Sequence, residues 1–254
     1  MSIAAPVRIG LGPGARLSPA EIVITRRLIG ENWRIARWAW PAAALIAVAV
    51  GAVIAQFTPV TKSIWENAAQ WPRWWLFAMA IALVTNYLPI VVTHGVTRRA
   101  AIRAVGVTSV LIGLVWATFF VVGQVIEQFI YNRLGWPDAM DGPHLYADGY
   151  DVLPMLAEYW LVFLSYLVAG ALVGAIYYRF GAIRGTLLLP PALLPAVAIE
   201  ILTSTGWLGA GLQDGLSIAR PAVPALMITS VVVLSLAALA IQMVLRDVPI
   251  HSKK

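Results

Sequence analysis

Six apolar stretches without basic residues, each long enough to cross a lipid bilayer as a helix, follow one another along the chain. A helix needs about 20 apolar residues for this crossing. Backbone groups inside lipid must bond within their own segment, which favours helices over strands at this length. Glu200 is the one charged residue among them. The pattern predicts an all-α integral membrane protein with six transmembrane helices: Trp38–Phe57, Trp74–Val92, Ala104–Ile126, Tyr159–Tyr178, Thr186–Thr205 and Pro221–Leu245.

The basic residues give these spans one orientation. Of the 18 Lys and Arg residues, 14 lie before span one, after span six, or in the loops that follow spans two and four. Such an excess marks the cytoplasmic side, so both termini are predicted to be cytoplasmic in a multi-pass protein of the cell membrane. Aromatic rings favour the headgroup level, and tryptophans bracket the first two spans: Trp33, Trp38, Trp40, Trp71, Trp74 and Trp75. The chain divides into a cytoplasmic N-terminal segment (1–37), a transmembrane domain (38–245) and a cytoplasmic tail (246–254).

Composition supports this class and excludes others. Hydrophobic residues make up 60% of the chain and charged residues 12%, whereas soluble domains have about 45–50% and 25%. The net charge of +6 is confined mainly to one side, so it is not typical of a nucleic-acid footprint. The sequence contains no cysteine, no phosphate-binding loop, no HExxH motif and no nucleophile elbow. We therefore expect no enzyme activity in this chain, no cofactor and no nucleic-acid partner.

A helix with a cationic face is predicted just before the first span. Ser18 and Glu21 have the spacing of a capping box, with Pro19 in the first turn. Apolar residues then alternate with basic ones, as in a helix that lies at the cytoplasmic membrane surface, and Pro41 marks a bend into span one. The alternative is a merely basic flank. The charged residues of this helix are Glu21, Arg26, Arg27, Arg34 and Arg37.

A short basic loop, here called the elbow (Thr93–Arg103), joins spans two and three. Gly95 is expected to take the left-handed conformation that ends span two, and Thr97 to cap the next helix. Arg98, Arg99 and Arg103 then lie on its first turns. Such an elbow suits docking of a partner protein, and the alternative is an ordinary positive-inside turn. The candidate docking residues are Thr93, His94, Gly95, Val96, Thr97, Arg98, Arg99 and Arg103.

The Gly95-Val96-Thr97-Arg98-Arg99 stretch after span two, in a six-span chain with a lead-in helix, resembles the membrane subunit of ABC-2 type (type V) exporters. In bacterial members a Gly-x-Ser/Thr-Arg-Arg/Lys stretch occupies this loop. The resemblance implies that the elbow meets a separate ATP-binding subunit and that Glu21 to Arg37 form a connecting helix. It also implies a homo- or heterodimer of membrane subunits. Family members have re-entrant helices between the last two spans, whereas here only residues 206–220 are available.

The fifth span is irregular and contains the charged residue. Pro190, Pro191 and Pro195 each remove a helical hydrogen bond, so we expect a break that lines an interior surface. Glu200 is either a contact for a substrate or gate, or a residue at the outer headgroups. In span four, Gly170 and Gly174 form a small-residue face for helix packing, within the subunit or at a dimer seam.

The acidic loop between spans three and four suggests a metal site only weakly. Asp138, Asp141, Asp148 and Asp151 accompany His144, but Asp-Gly pairs are also ordinary turn chemistry and no EF-hand spacing is present. The sequence therefore predicts no metal.

Two functions remain for this chain. The first is a permease subunit that moves a hydrophobic or amphipathic substrate outward with a partner ATPase, in contact with membrane lipid. The second is a non-transporting membrane scaffold or immunity protein. A lipid-modifying enzyme would need a catalytic cluster, and Glu200 alone does not supply one.

Overall fold

The structure, a computed structural model, describes residues 17–58, 60, 62–136, 144–219 and 221–246. Asp138 and Asp141 of the acidic loop lie outside the described residues. Regular structure in the described ranges is helical. In chain order the helices are α1 (Pro19–Phe57), α2 (Ile64–Ala68), α3 (Gln70–Ala82), a π-helical turn (Leu83–Tyr87), α4 (Leu88–Thr93), α5 (Arg98–Leu134), α6 (Val152–Leu187), α7 (Leu189–Thr203), α8 (Gly206–Gly215) and α9 (Val223–Leu245).

Five helical segments in the described ranges are long and apolar enough to cross a membrane: Pro19–Phe57, Ile64–Thr93, Arg98–Leu134, Val152–Leu187 and Val223–Leu245. The predicted fifth span corresponds to α7, which has 15 residues and is therefore about 22 Å long. The helical pattern breaks at Leu188, just before Pro190 and Pro191, where α6 ends and α7 begins, but not at Pro195. Pro190 and Pro191 lie in the first turn, where a backbone N–H has no helical acceptor, and α7 continues through Pro195.

Helix α6 is the centre of the bundle. Of its most apolar 18-residue stretch 83% is buried, against 11% for α1, and it packs on α3, α5, α7 and α9. The backbone leaves helical geometry at Gly181 (φ 73°, ψ −175°), which separates residues 182–187 from the rest of α6.

The predicted small-residue face of α6 is observed and lies inside the subunit. A Cβ atom at Gly170 would lie 2.2 Å from the carbonyl oxygen of Phe77, and one at Gly174 would lie 3.1 Å from that of Ile81. Only glycine allows α3 and the π-helical turn to approach α6 this closely. Of the two uses predicted for Gly170 and Gly174, the structure gives packing within the chain.

The predicted helix start before span one is confirmed. Ser18 and Glu21 form both hydrogen bonds of the capping box. Helix α1 continues through Pro41 as one helix of 39 residues, about 58 Å long. Residues Glu21 to Trp40 bury a stripe along α5, where Trp116 Nε1 donates to Asn32 Oδ1 at 2.8 Å. The remaining half is apolar and largely exposed, as at Leu45 and Phe57.

Candidate functional site

The elbow has the local geometry that its sequence predicts. Gly95 has a φ of +88°, a left-handed conformation that favours glycine. Thr97 is the N-cap of α5 and accepts a hydrogen bond from the Ala100 N–H at 3.3 Å. Before it, Thr93 Oγ1 donates to Ile90 O, His94 Nδ1 lies 2.7 Å from the same oxygen, and Val96 N donates to Val91 O. Hydrogen bonds between neighbouring residues of the elbow therefore hold the turn in this conformation.

Three parts of the chain meet at the elbow. Arg98 Nη1 donates to the carbonyl oxygen of Arg246, just after α9, at 3.4 Å. Arg103 Nε lies 4.0 Å from Glu21 Oε1 at the start of α1. Arg99 is exposed. We call this part of the bundle the elbow end.

The other basic residues predicted for the connecting helix point away from the bundle. Arg26, Arg27, Arg34 and Arg37 are exposed, whereas Glu21 is buried. Arg27 Nε donates to Glu31 Oε1 at 3.0 Å, and the guanidinium of Arg37 lies 5.8 Å from the ring centre of Trp38. The structure thus brings Glu21 to the elbow and leaves these four arginines on the surface.

A cavity of about 500 Å³ opens beside the elbow, between α5, α6 and α9. Arg103 is part of its lining. The π-helical turn and the start of α4 form one wall, through Leu83, Val84 and Leu88. The turn precedes Pro89, whose missing N–H and bulky ring disturb regular helical bonding, and π-helical turns often occur at functional sites.

Glu200, the predicted gate residue, takes part in a buried ion pair. Arg73 Nη1 lies 2.9 Å from Glu200 Oε1, and both side chains are at most 3% exposed. The Tyr166 hydroxyl donates to the same oxygen at 2.7 Å. These bonds join α3, α6 and α7 where predicted spans two and five have their outer ends. The small adjoining cavity, about 60 Å³, includes Glu200 in its lining.

The ion pair also explains why residue 206, at the start of α8, is a glycine. Gly206 has a φ of +72°, and a Cβ atom there would lie 2.3 Å from Arg73 Nη1 and 2.8 Å from Glu200 Oε1. A Cβ atom at Gly209 would meet the Glu200 backbone at 2.4 Å. Helix α8 therefore packs directly against the ion pair and helps to enclose its two charges.

A second buried charge cluster lies in the described part of the acidic loop, at what we call the loop end. His144 Nδ1 lies 2.8 Å from Glu158 Oε1 and its Nε2 lies 2.9 Å from Glu66 Oε1. Glu158 also accepts the Leu145 N–H at 2.6 Å. Glu66 is held in place because its helix, α2, is capped by Ser63, which accepts the Glu66 N–H, while Glu127 accepts the N–H of Ile64 and of Trp65.

The environment of His144 favours the charged imidazolium. Burial lowers the pKa of His144, but hydrogen bonds and charge from Glu158 and Glu66 raise it by more, to about 9. The ring of Tyr146 stacks on the imidazole at a centroid distance of 4.5 Å, and burial raises the pKa of the Tyr146 hydroxyl. The cluster therefore ties the loop to α2 and α6 while His144 is protonated.

Side chains suited to a metal do not converge in the described residues, where no group of three or more His, Asp or Glu could hold an ion. Asp148 Oδ1 accepts the Tyr150 N–H at 2.7 Å, and Asp151 Oδ2 accepts the Ala147 N–H at 2.8 Å. These are turn-closing bonds of the kind that Asp favours.

Sequence reasoning missed the partner of Glu200, the His144 cluster and the cavity. Arg73 is one of the four basic residues outside the predicted cytoplasmic segments, and an opposite charge near the same end of another span is a signal for pairing. His144 was considered only as a metal ligand. No sequence pattern indicates the cavity, because the residues that line it come from helices far apart in the chain.

Comparison of the chain with family models, curated proteins and solved structures gave no match.

Proposed function

We propose that the chain is the transmembrane subunit of an ABC-2 type exporter, which moves a hydrophobic or amphipathic substrate outward across the plasma membrane. A separate ATP-binding subunit supplies the energy. In this proposal α7 completes a six-span topology, both termini are cytoplasmic, and the start of α1 serves as the connecting helix at the membrane surface. Two such chains, identical or different, form the transport unit.

The observation that carries the proposal is the construction of the elbow. A left-handed glycine and a threonine cap begin α5 with two arginines on its first turn. Helix α5 then continues for 37 residues and packs on α1 and α6. A push on the elbow by a partner would therefore move a long helix that contacts both the first helix and the bundle centre.

Charge reversal at the elbow tests the proposal. The tagged chain is purified in detergent from its native host, and the retained ATPase is measured by ATP hydrolysis and identified by peptide mass spectrometry. Arg98→Glu with Arg99→Glu should reduce the amount of retained ATPase by about tenfold or more. A partner surface that pairs with two arginines is acidic, and like charges at an interface are strongly unfavourable. Arg133→Glu, at an exposed position near the end of α5 far from the elbow, is the control and should leave the amount unchanged.

Two results would overturn the proposal. One is an undiminished ATPase on the double variant when membrane insertion is normal. The other is the absence of any ATPase on the wild-type chain, which would favour the non-transporting scaffold or immunity protein.

A further inference from the structure

The cavity beside the elbow has the size and walls of a binding site for a small apolar molecule. Its volume is about 500 Å³, within the usual range of ligand pockets, about 300–1,000 Å³. Aliphatic side chains from α5, α6 and α9 form most of the lining, including Val105, Leu164, Leu167 and Leu234. Helix backbones bond internally, so these walls have few free polar groups for a peptide backbone. The lining therefore suits a hydrocarbon chain.

The space arises from small residues that face one another. Gly106 and Ser109 on α5, Ala171 on α6 and Ala238 on α9 all line it. A Cβ atom at Gly106 would meet nothing within 4 Å. Protein interiors are otherwise close-packed, and an unfilled space of this size loses dispersion contacts along its whole lining. A bound hydrocarbon chain would restore them.

The charged side chain and the amide of the lining lie at one end of the cavity. Arg103 and Gln242 line it at the elbow end, close to Arg98 and to the end of α9 at Arg246. At the opposite end Trp160 lines it, and its indole N–H already donates to Val110 O at 3.1 Å. Ser109 likewise donates to Val105 O. The cavity thus has an apolar body and one cationic mouth, with Glu21 as the carboxylate beside Arg103.

We propose that this cavity binds the acyl chain of an anionic membrane amphiphile, whose head group lies at Arg103 and Gln242. Cationic pockets between membrane helices favour anionic head groups, and the hydrocarbon chain fills the space left by Gly106 and Ala238. The inference rests on placing the chain in a membrane, which the proposed function shares. It does not depend on the ATPase, because binding is measured on the purified chain alone.

Photolabelling tests the location. The purified full chain in detergent is irradiated with palmitic acid that carries a diazirine in mid-chain, and labelled peptides are identified by mass spectrometry. Label should concentrate on cavity residues such as Met227, Leu234 and Ile241, which line the cavity and are not exposed, and unlabelled palmitate should compete. Label spread equally to outward-facing residues of α9, such as Leu236 and Leu239, would overturn the proposal.

Filling the space is the second test. Gly106→Trp should lower labelling at the cavity residues by about tenfold, the effect of 1.4 kcal/mol on a binding constant. Gly30→Trp is the matched control, because Gly30 is also a helical glycine with nothing within 4 Å of its Cβ position and lies outside the cavity. Equal labelling of the two variants would contradict the proposal, and the wild-type label map remains decisive if Gly106→Trp does not fold.

The head-group assignment has its own test. Arg103→Gln should weaken the binding of palmitate by about tenfold and leave the binding of the alkyl amine of the same chain length unchanged or stronger. Arg184→Gln, at an exposed arginine outside the cavity lining, should change neither. Equal losses for the acid and the amine would overturn the anionic assignment.

Discussion

At the loop end His144 is buried between Glu66 and Glu158, and in the adjoining part of the bundle Arg73 is buried against Glu200; the side chains of His144 and Arg73 are both 2% exposed. At the elbow end, Arg99 and Arg103 are exposed and the contacts of Arg98 and Arg103 are long, at 3.4 and 4.0 Å. The two regions carry similar charges in opposite settings.

The difference bears on what each region can do. A buried charge is tolerated only when it is paired and hydrogen-bonded, and removing one partner is strongly destabilising. The Arg73 and His144 clusters therefore fix helices and a loop in one arrangement. Exposed charges contribute little to stability, so the elbow arginines are not expected to hold the bundle together.

Replacement of Arg73 should have the largest effect. Arg73→Met leaves Glu200 buried without its cation, which costs about 3–5 kcal/mol in the free energy of unfolding. The measurement is the midpoint of denaturation in mixed detergent micelles. Adding Glu200→Gln should recover about half of the loss, because the uncharged amide no longer needs a cation. A loss below about 1 kcal/mol for Arg73→Met would mean that the pair does not stabilise the fold.

Alkaline pH should release the His144 cluster. The folded-state pKa of about 9 lies above the usual 6.5, so the cluster contributes fully below pH 6.5 and loses its contribution as the pH rises to 9. The loss in the free energy of unfolding is up to about 3 kcal/mol, since one pKa unit corresponds to 1.36 kcal/mol.

Thermal denaturation at several pH values between 6 and 10 measures this loss. His144→Gln should flatten the profile over that range, with lower stability at the acidic end. His94→Gln, at the exposed elbow histidine, is the control and should keep the wild-type slope. An identical slope in the His144→Gln protein would contradict the prediction.

A methyl group at Gly206 should disturb the Arg73 pair from outside. Gly206→Ala forces an unfavourable positive φ and places a Cβ atom against Arg73 and Glu200, for a cost of about 1–3 kcal/mol. Gly211→Ala is the matched control in the same helix, because nothing lies within 4 Å of its Cβ position. The same detergent denaturation compares them, and equal stability of the two variants would show that α8 does not enclose the pair.

Local rules in the sequence predicted some elements well. The capping box at Ser18 and Glu21, the left-handed Gly95 and the Thr97 cap depend on residues within a few positions, and all are observed. The close approach at Gly170 follows from side-chain size alone. Of the six spans predicted from apolar length, five correspond to helices in the described ranges that are long enough for a membrane.

Features that depend on tertiary partners could not be predicted in this way. Arg73 and Glu200 are 127 positions apart. Trp40, expected at the headgroups, packs on Trp116 at a centroid distance of 5.3 Å. Helix α1 also continues through Pro41, where the sequence predicted the start of a separate direction, and Asn32 and Trp40 before it are buried.

The elbow arginines should have the smallest effect on stability, although their effect on association with the proposed ATPase is expected to be large. Arg98→Ala with Arg99→Ala should change the free energy of unfolding by less than about 0.5 kcal/mol, as surface substitutions usually do, because Arg99 is exposed and Arg98 makes one long hydrogen bond. Detergent denaturation beside the Arg73→Met protein measures the contrast directly. A loss comparable to that of Arg73→Met would mean that the elbow arginines hold the bundle together, and the difference between the two regions would then disappear.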